Sequence, residues 1–287
     1  MRFIKFEGFG NDYIVFEREQ VSEVSPKLND FVRRVCERHY GAGADGMVMV
    51  EKSKDQTADF IVRIFNADGS EAALSGNGTR CAAAYLHYQR LWRKDELRLG
   101  TPSGVKIYRL RETLKSGHYW FESELGKPKF ASLEIPMRTD ESLARMMNYP
   151  LTVDNRSVRI TALSIGNPHA CVFVDDFASF DWRRLGRLLE THEQFPERTN
   201  VEFVRVIDRH NIELRIWERG VGETFSSGTC ACGAVIASVM NDLTDRRVTV
   251  QTLGGAIEVE WRTSDDEVIL TGRADVVYSG EWLAEKE

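Results

Sequence analysis

Short apolar runs closed by Gly, Asn or Asp recur along most of the chain. "RFIKFEG", "DYIVFE", "GMVMVEK" and "DFIVRIFN" alternate or mix apolar positions and predict strands joined by turns. "SPKLNDFVRRVCERHYG" changes period and predicts a helix, with Ser25 as N-cap, Pro26 at the first helical position and Gly41 as the stop. Cys36 falls on its apolar stripe, where a buried core thiol is expected. "TRCAAAYLHYQRLW" predicts a second helix, rich in Ala and Leu. "DELRLGTPSGVKIYRL" and "HYWFESELGKPKF" return to strand and turn. The second half follows the same pattern, with strands in "SVRITALSIGNPHACVFVDD", a helix in "DWRRLGRLLETHE", and strands in "NVEFVRVID" and "NIELRIWERG". A helix near Gly233–Leu243 and closing strands complete it.

Two stretches match without a gap. "RIFNADGSEAALSGNG" lies over "RIWERGVGETFSSGTC", so that Arg63/Arg215, Ile64/Ile216, Glu71/Glu223, Ser75/Ser227, Gly76/Gly228 and Ala82/Ala234 all differ by 152 (227 − 75 = 152). Phe65 faces Trp217 in the same register. "GFGNDYIVFE" and "SIGNPHACVFVD" align Gly10-Asn11 with Gly166-Asn167 at a difference of 156 (167 − 11 = 156). Two matches in the same order predict an internal duplication of one α/β unit about a pseudo-twofold. The expected units are 1–118 with a C-terminal segment near 275–287, and 119–274. A solenoid needs several short repeats and does not fit.

Each repeated stretch runs strand, glycine-containing turn, helix. The first helical turn leaves backbone N–H groups unpaired, and the helix dipole adds partial positive charge there. Such an end binds an anion or stabilises a thiolate. Two such ends about a pseudo-twofold would place one reactive side chain on each flank of a shared carboxylate. That geometry removes a proton from one face of a carbon and returns one on the other. Taken singly, "GNG" and "SGT" read as capping turns; occurring twice in register, they read as a site. Neither turn matches G-x-x-x-x-G-K-[ST] or a G-x-G-x-x-G fingerprint, so a nucleotide is not expected. Cys230-Ala-Cys232 is a bare pair and the histidines lack ligand spacing, so no metal is expected either and helix packing is the reading for both thiols.

Composition narrows the class. The chain has 287 residues, room for one large or two ordinary domains, and no apolar run of membrane-spanning length. The start "MRFIKFEGFGND" lacks a signal-peptide layout, which makes a soluble cytoplasmic protein the expectation. A net charge of −6 with both signs interspersed gives no nucleic-acid footprint. Five cysteines, an odd number, favour reduced thiols over a disulfide framework.

"GFGNDYIV", "GADG", "RIFNADGSEAALSGNGTRCAAAYL", "GNPHACVFV", "RTNVEFV" and "ERGVGETFSSGT", in this order, resemble the diaminopimelate epimerases, cofactor-independent amino-acid epimerases of lysine and cell-wall biosynthesis. The resemblance covers essentially the whole chain. It implies an α/β (α+β) fold of two pseudo-symmetric domains, each a β-barrel-like sheet wrapped round a central helix, with the substrate in the interdomain cleft. It also implies a small diamino-dicarboxylic acid substrate, a homodimer, and no pyridoxal phosphate, metal or nucleotide. Carried over by position, Asn11, Asn66, Asn167, Asn200, Glu218 and Arg219 would bind substrate, and the amides of Gly76-Asn77 and Gly228-Thr229 would hold the carboxylate at the reacting carbon. The chemistry suits the roles: Arg219 can grip a distant carboxylate with two parallel hydrogen bonds, while Glu218 and Asn oxygens accept from ammonium groups. Outside such a site, Arg219 would be a surface ion pair and the Asn residues turn formers. His169 lines the pocket on one reading and is a core or capping histidine on another.

The chain departs from the family where it matters most. The resemblance implies cysteines in the acid/base seats, and Ser75 and Ser227 stand there. A thiol titrates near ~8.5 and a helix end lowers it further; a serine hydroxyl is a far weaker acid, each pH unit of the gap costing about 1.36 kcal/mol. Cys81 and Cys230 lie further along the two helices, too deep for a carboxylate held at the end. Cys230 replaces a common glycine, and Gly46 a glutamine of some members. Three readings follow: an epimerase with replaced nucleophiles, a related isomerase or lyase using serine, and a non-catalytic amino-acid-binding protein.

Overall fold

The computed structural model describes residues 1–21, 28–72 and 75–283. By its internal contacts the chain divides into two compact units, Met1–Ser123 with Gly272–Glu287, and Glu124–Thr271. Ser25 and Pro26, expected to open the first helix, lie outside the described residues.

Unit 1 runs β1 (Arg2–Gly8), β2 (Asn11–Glu17), a short α1 (Arg18–Val21), α2 (Leu28–Cys36), β3 (Gly46–Lys52), β4 (Phe60–Asn66), β5 (Glu71–Ala72), α3 (Gly76–Tyr88), β6 (Glu96–Thr101) and β7 (Gly104–Lys115). The chain leaves it within β8 (His118–Gly126) and returns within β17 (Val268–Glu281). Unit 2 carries β9 (Met146–Val153), β10 (Arg156–Ser164), β11 (Pro168–Phe173), α4 (Trp182–Glu190), β12 (Asn200–Asp208), β13 (Asn211–Glu218), β14 (Gly222–Thr224), α5 (Gly228–Met240), β15 (Arg247–Thr252) and β16 (Gly255–Trp261).

The duplication is written into the strand pairing. In unit 1, β1–β2 is antiparallel, β2–β3 parallel, β3–β4 antiparallel, β4–β6 parallel and β6–β7 antiparallel. Unit 2 repeats that series in β10–β11, β11–β12, β12–β13, β13–β15 and β15–β16. Even the register is kept: Phe65 sits opposite Glu71, and Trp217 opposite Glu223. Gly10 and Gly166 both turn with positive φ, 83° and 84°, a conformation that favours glycine, and so place Asn11 and Asn167 alike. Pairings β7–β8, β8–β17 and β17–β1 close the unit 1 sheet into a barrel of eight strands.

A closed sheet needs a filling, and the two Ala-rich helices supply it. α3 is buried from Asn77 to Leu86 and α5 from Cys230 to Ser238, so each is enclosed on all sides. Ala82, Ala83 and Ala84 let α3 lie close to Phe6, Val48, Ile64 and Leu99 in one core cluster. In α5 the close approach falls at Gly233, where a Cβ would stand 3.0 Å from the His169 ring. A separate cluster packs Phe31, Val32, Val35 and Cys36 of α2 against Ile14, Phe16 and Met47.

The structure departs from the sequence expectation at several points. α2 ends at Cys36 rather than running to Gly41, because Glu37 accepts the N–H of His39 at 2.6 Å and Arg38 turns away to Asp12 and Asp45. α5 begins at Gly228, ahead of the expected Gly233. β9 covers a stretch to which the sequence analysis assigns no element; it pairs with β10 and contains Pro150, which is tolerated at a sheet edge.

Candidate active site

Ser75 is the N-cap of α3, with extended backbone (φ −137°, ψ 122°). Its Oγ accepts the Gly78 N–H at 3.1 Å, the usual role of a serine that opens a helix. The same oxygen lies 2.9 Å from the Tyr13 hydroxyl. The Tyr13 ring explains Gly46: a Cβ there would come within 2.8 Å of Tyr13 Cε1 and 2.5 Å of Phe65 O. A glutamine at position 46 has no room in this chain. Gly76 and Asn77 are the first two helical residues, and a Cβ on Gly76 would meet nothing within 4 Å, so that face of the helix end is open. Asn77 Nδ2 donates to Asn11 Oδ1 at 3.2 Å, and Asn11 Nδ2 donates to Asp45 Oδ2 at 2.9 Å. Asn66 closes β4 and is turned to Ser70, Nδ2 to Oγ 2.9 Å, rather than to Asn11 or Asn77.

Ser227 is the N-cap of α5 with almost the same backbone (φ −143°, ψ 126°), but its hydroxyl makes no capping bond. Gly228 and Thr229 fill the first two helical positions, and Asn167 Nδ2 reaches Thr229 Oγ1 at 3.4 Å. Asn167 Oδ1 meets His169 Nε2 at 3.0 Å, and His169 Nδ1 meets Glu202 Oε1 at 2.7 Å. Asn200 is held on both sides, Nδ2 donating to Pro168 O at 3.1 Å and Oδ1 accepting the Arg219 N–H at 2.9 Å. Arg219 Nη1 donates to Glu197 O at 3.1 Å. Glu218 ends β13 beside it.

His169 and Glu202 are both 0% exposed, which resolves His169 as a core residue linked to Asn167 rather than a free pocket wall. Burial raises the Glu218 pKa, with Glu202 nearby adding to the effect and His169 opposing it. Burial also drives the Cys230 thiol well up, the Glu202 and Glu218 carboxylates push the same way, and the nearby Ser227 hydroxyl opposes them. Cys230 is fully buried within α5, where helix packing accounts for it. Cys232 is raised by burial alone, as packing predicts. His169, Glu202 and Cys230 are the one group among the described residues with donor atoms near enough to suggest a metal, within 4.8 Å of one another. His169 and Glu202 already bond each other, and Cys171 Sγ donates to Glu202 Oε2 at 3.4 Å, so both carboxylate oxygens are engaged.

Sequence reasoning missed Tyr13, Asp45, Arg80 and Glu202. Glu202 left a signal: it is a carboxylate in the fully buried row Val201–Val204 of β12. Its partners, His169 and Cys171, come from another strand, β11, and leave no spacing to read.

The diaminopimelate epimerase family pattern matches residues 3–130 and 161–277. The chain is 41% identical over 286 residues to a diaminopimelate epimerase of Pelotomaculum thermopropionicum, covering 98% of this chain and 99% of the relative. It is 39% identical over 287 residues to that of Acetivibrio thermocellus, covering 98% of each. The fold is shared with a crystal structure of a hydroxyproline epimerase from Agrobacterium vitis with bound trans-4-hydroxy-L-proline, at a TM-score of 0.64 and 14% identity, covering 98% of this chain and 91% of that one. No helix among the described residues is long and apolar enough to cross a membrane. With a family match over most of its length and relatives above 30% identity across nearly all of it, the chain belongs to the diaminopimelate epimerases, a family of isomerases.

Proposed function

We propose that this chain binds diaminopimelate and labilises the proton on one α-carbon, with Ser75 and Ser227 in the two acid/base seats. The observation that carries the reading is the pair of matched N-caps: each unit opens a 13-residue helix with Ser-Gly, at nearly identical φ and ψ. The helix-end amides of Gly76-Asn77 and Gly228-Thr229 suit the α-carboxylate, whose charge grows as the carbanion forms. Arg219 suits the distant carboxylate; Glu218, Asn11, Asn66, Asn167 and Asn200 suit the ammonium groups. Proton transfer is the weak step. Serine is a poor acid, and the Ser75 oxygen already accepts from Gly78. Ligand binding with very slow turnover is therefore expected. A homodimer located in the cytoplasm belongs to the same reading, and sedimentation tests the dimer.

The test is α-proton exchange in D₂O on LL- and meso-diaminopimelate, beside calorimetric binding of both. Binding by the unaltered chain and a large gain in exchange in the Ser75→Cys/Ser227→Cys double variant are expected. No binding of either isomer sinks the proposal. Tight binding with no exchange in the double variant converts it to the non-catalytic reading.

A further inference from the structure

Arg80 is a fully buried cation with no part in the chemistry proposed for the two serines. It is 1% exposed, on the second turn of α3. Buried arginines are usually neutralised by a carboxylate. Among the described residues no ion pair reaches Arg80; Glu7, the carboxylate whose charge it feels, is taken by Arg273. Its Nε donates to Arg273 O at 2.9 Å, its Nη2 donates to Asn77 Oδ1, and its Cζ stands 5.4 Å from the centre of the Phe9 ring. Two glycines make room for it. A Cβ on Gly272 would lie 3.1 Å from Cζ, and one on Gly8 would lie 3.4 Å from Nη2.

The bonds around Arg80 have only one consistent direction. A guanidinium donates and never accepts, so the Asn77 atom facing it is the oxygen. Asn77 must then present its NH₂ to Asn11, which must answer with its own oxygen and turn its NH₂ to Asp45. The Asp45 carboxylate accepts and never donates, so the far end dictates the same order. Arg80 and Asp45 thus fix the polarity of two side-chain amides that would otherwise flip freely.

We propose that Arg80 is a positioning residue for the helix end at Ser75: it sets the Asn77–Asn11 amide polarity and keeps an unneutralised positive charge beneath the first turn of α3. Burial lowers the Arg80 pKa, the strain expected of a cation kept from water without a counter-ion. That charge adds to the dipole of α3 and favours an anion at its N-terminus. What the amides hold rests on the proposed function, so the experiment is read without substrate.

In a Ser75→Cys background, the pKa of the introduced thiol is taken from the pH dependence of its alkylation by iodoacetamide. Adding Arg80→Gln should raise it by about one pH unit, whereas Arg80→Lys, which keeps the charge, should leave it in place. Side-chain amide signals of Asn77 and Asn11 should move in both variants, since lysine lacks the fork. An unchanged thiol pKa in Arg80→Gln overturns the inference, whether or not the chain binds diaminopimelate. Should Arg80→Gln lose the parent's circular dichroism, Arg80→Lys decides: displaced amide signals support the relay and unmoved ones overturn it.

Discussion

Breaking the buried His169–Glu202 pair from one side should be among the most damaging changes available in unit 2. His169→Leu leaves a carboxylate with no exposure, deprived of its 2.7 Å partner and holding the Cys171 thiol as donor. Loss of one partner from such a pair costs about 3–5 kcal/mol, a large share of a domain stability of about 5–15 kcal/mol. With a urea dependence of about 2 kcal/mol per molar, a loss of about 4 kcal/mol lowers the midpoint by about 2 M. Glu202→Leu removes the charge itself and strands the histidine and the Cys171 thiol. The double variant His169→Leu/Glu202→Leu leaves no buried charge and should cost less than the two single changes added together, by more than about 1 kcal/mol. Urea unfolding followed by fluorescence of the six tryptophans gives all four midpoints. A His169→Leu midpoint within about 0.5 M of the parent, or strict additivity, would show that the pair is already hydrated or separated in solution.

Two further outcomes follow from the ionisable groups. Burial works against the Asp12 carboxylate, but Arg38 at 3.1 and 3.2 Å, Lys5 at 2.7 Å and the Asp45 N–H outweigh it and hold its pKa below the ordinary value. Its folded pKa is lower than its unfolded one, so its contribution is complete above about pH 4 and fades as pH falls through the folded value. Asp12→Asn should lower stability at pH 7 and flatten the acid limb of a denaturation midpoint against pH; an unaltered limb refutes this. All five cysteines are buried and free, with the Cys36 and Cys81 thiols pushed up to about 12 by burial. Ellman's reagent at pH 8 should therefore find no fast thiol in the native protein and five after denaturation, and one rapid native reaction contradicts the burial.

Legibility in the sequence followed the range of the interaction. β12 runs from Asn200 to Asp208, β1 ends at Gly8 and β3 begins at Gly46, each where an apolar run meets a turn residue, because both signals are local. Ser75 and Ser227 stand out in the sequence because duplication wrote the same turn twice. The start of α5 was misplaced since Ser-Ser-Gly-Thr has turn chemistry, and only enclosure by the surrounding strands makes Gly228–Cys230 helical. Tyr13 reads as an apolar strand position, and nothing nearby in the sequence tells that its hydroxyl ends 2.9 Å from Ser75. Asn77 and Arg80 are visibly three apart on one helix, yet the burial that fixes their bond comes from Gly8, Phe9 and Gly272, distant in the chain. Local periodicity reports backbone; amide polarity and buried charge are decided by neighbours it does not contain.

The interrupted course of unit 1 bears on the order in which the molecule is built. Glu124–Thr271 is one continuous stretch, able to condense while translation is still under way. The first 123 residues must wait, because the strand that closes their barrel, and the Arg273 carbonyl that seats Arg80, are translated only after unit 2. During that interval the β1 edge and the cation of α3 lack their final partners, so newborn chains stalled before Gly272 are the form most exposed to aggregation and to proteases.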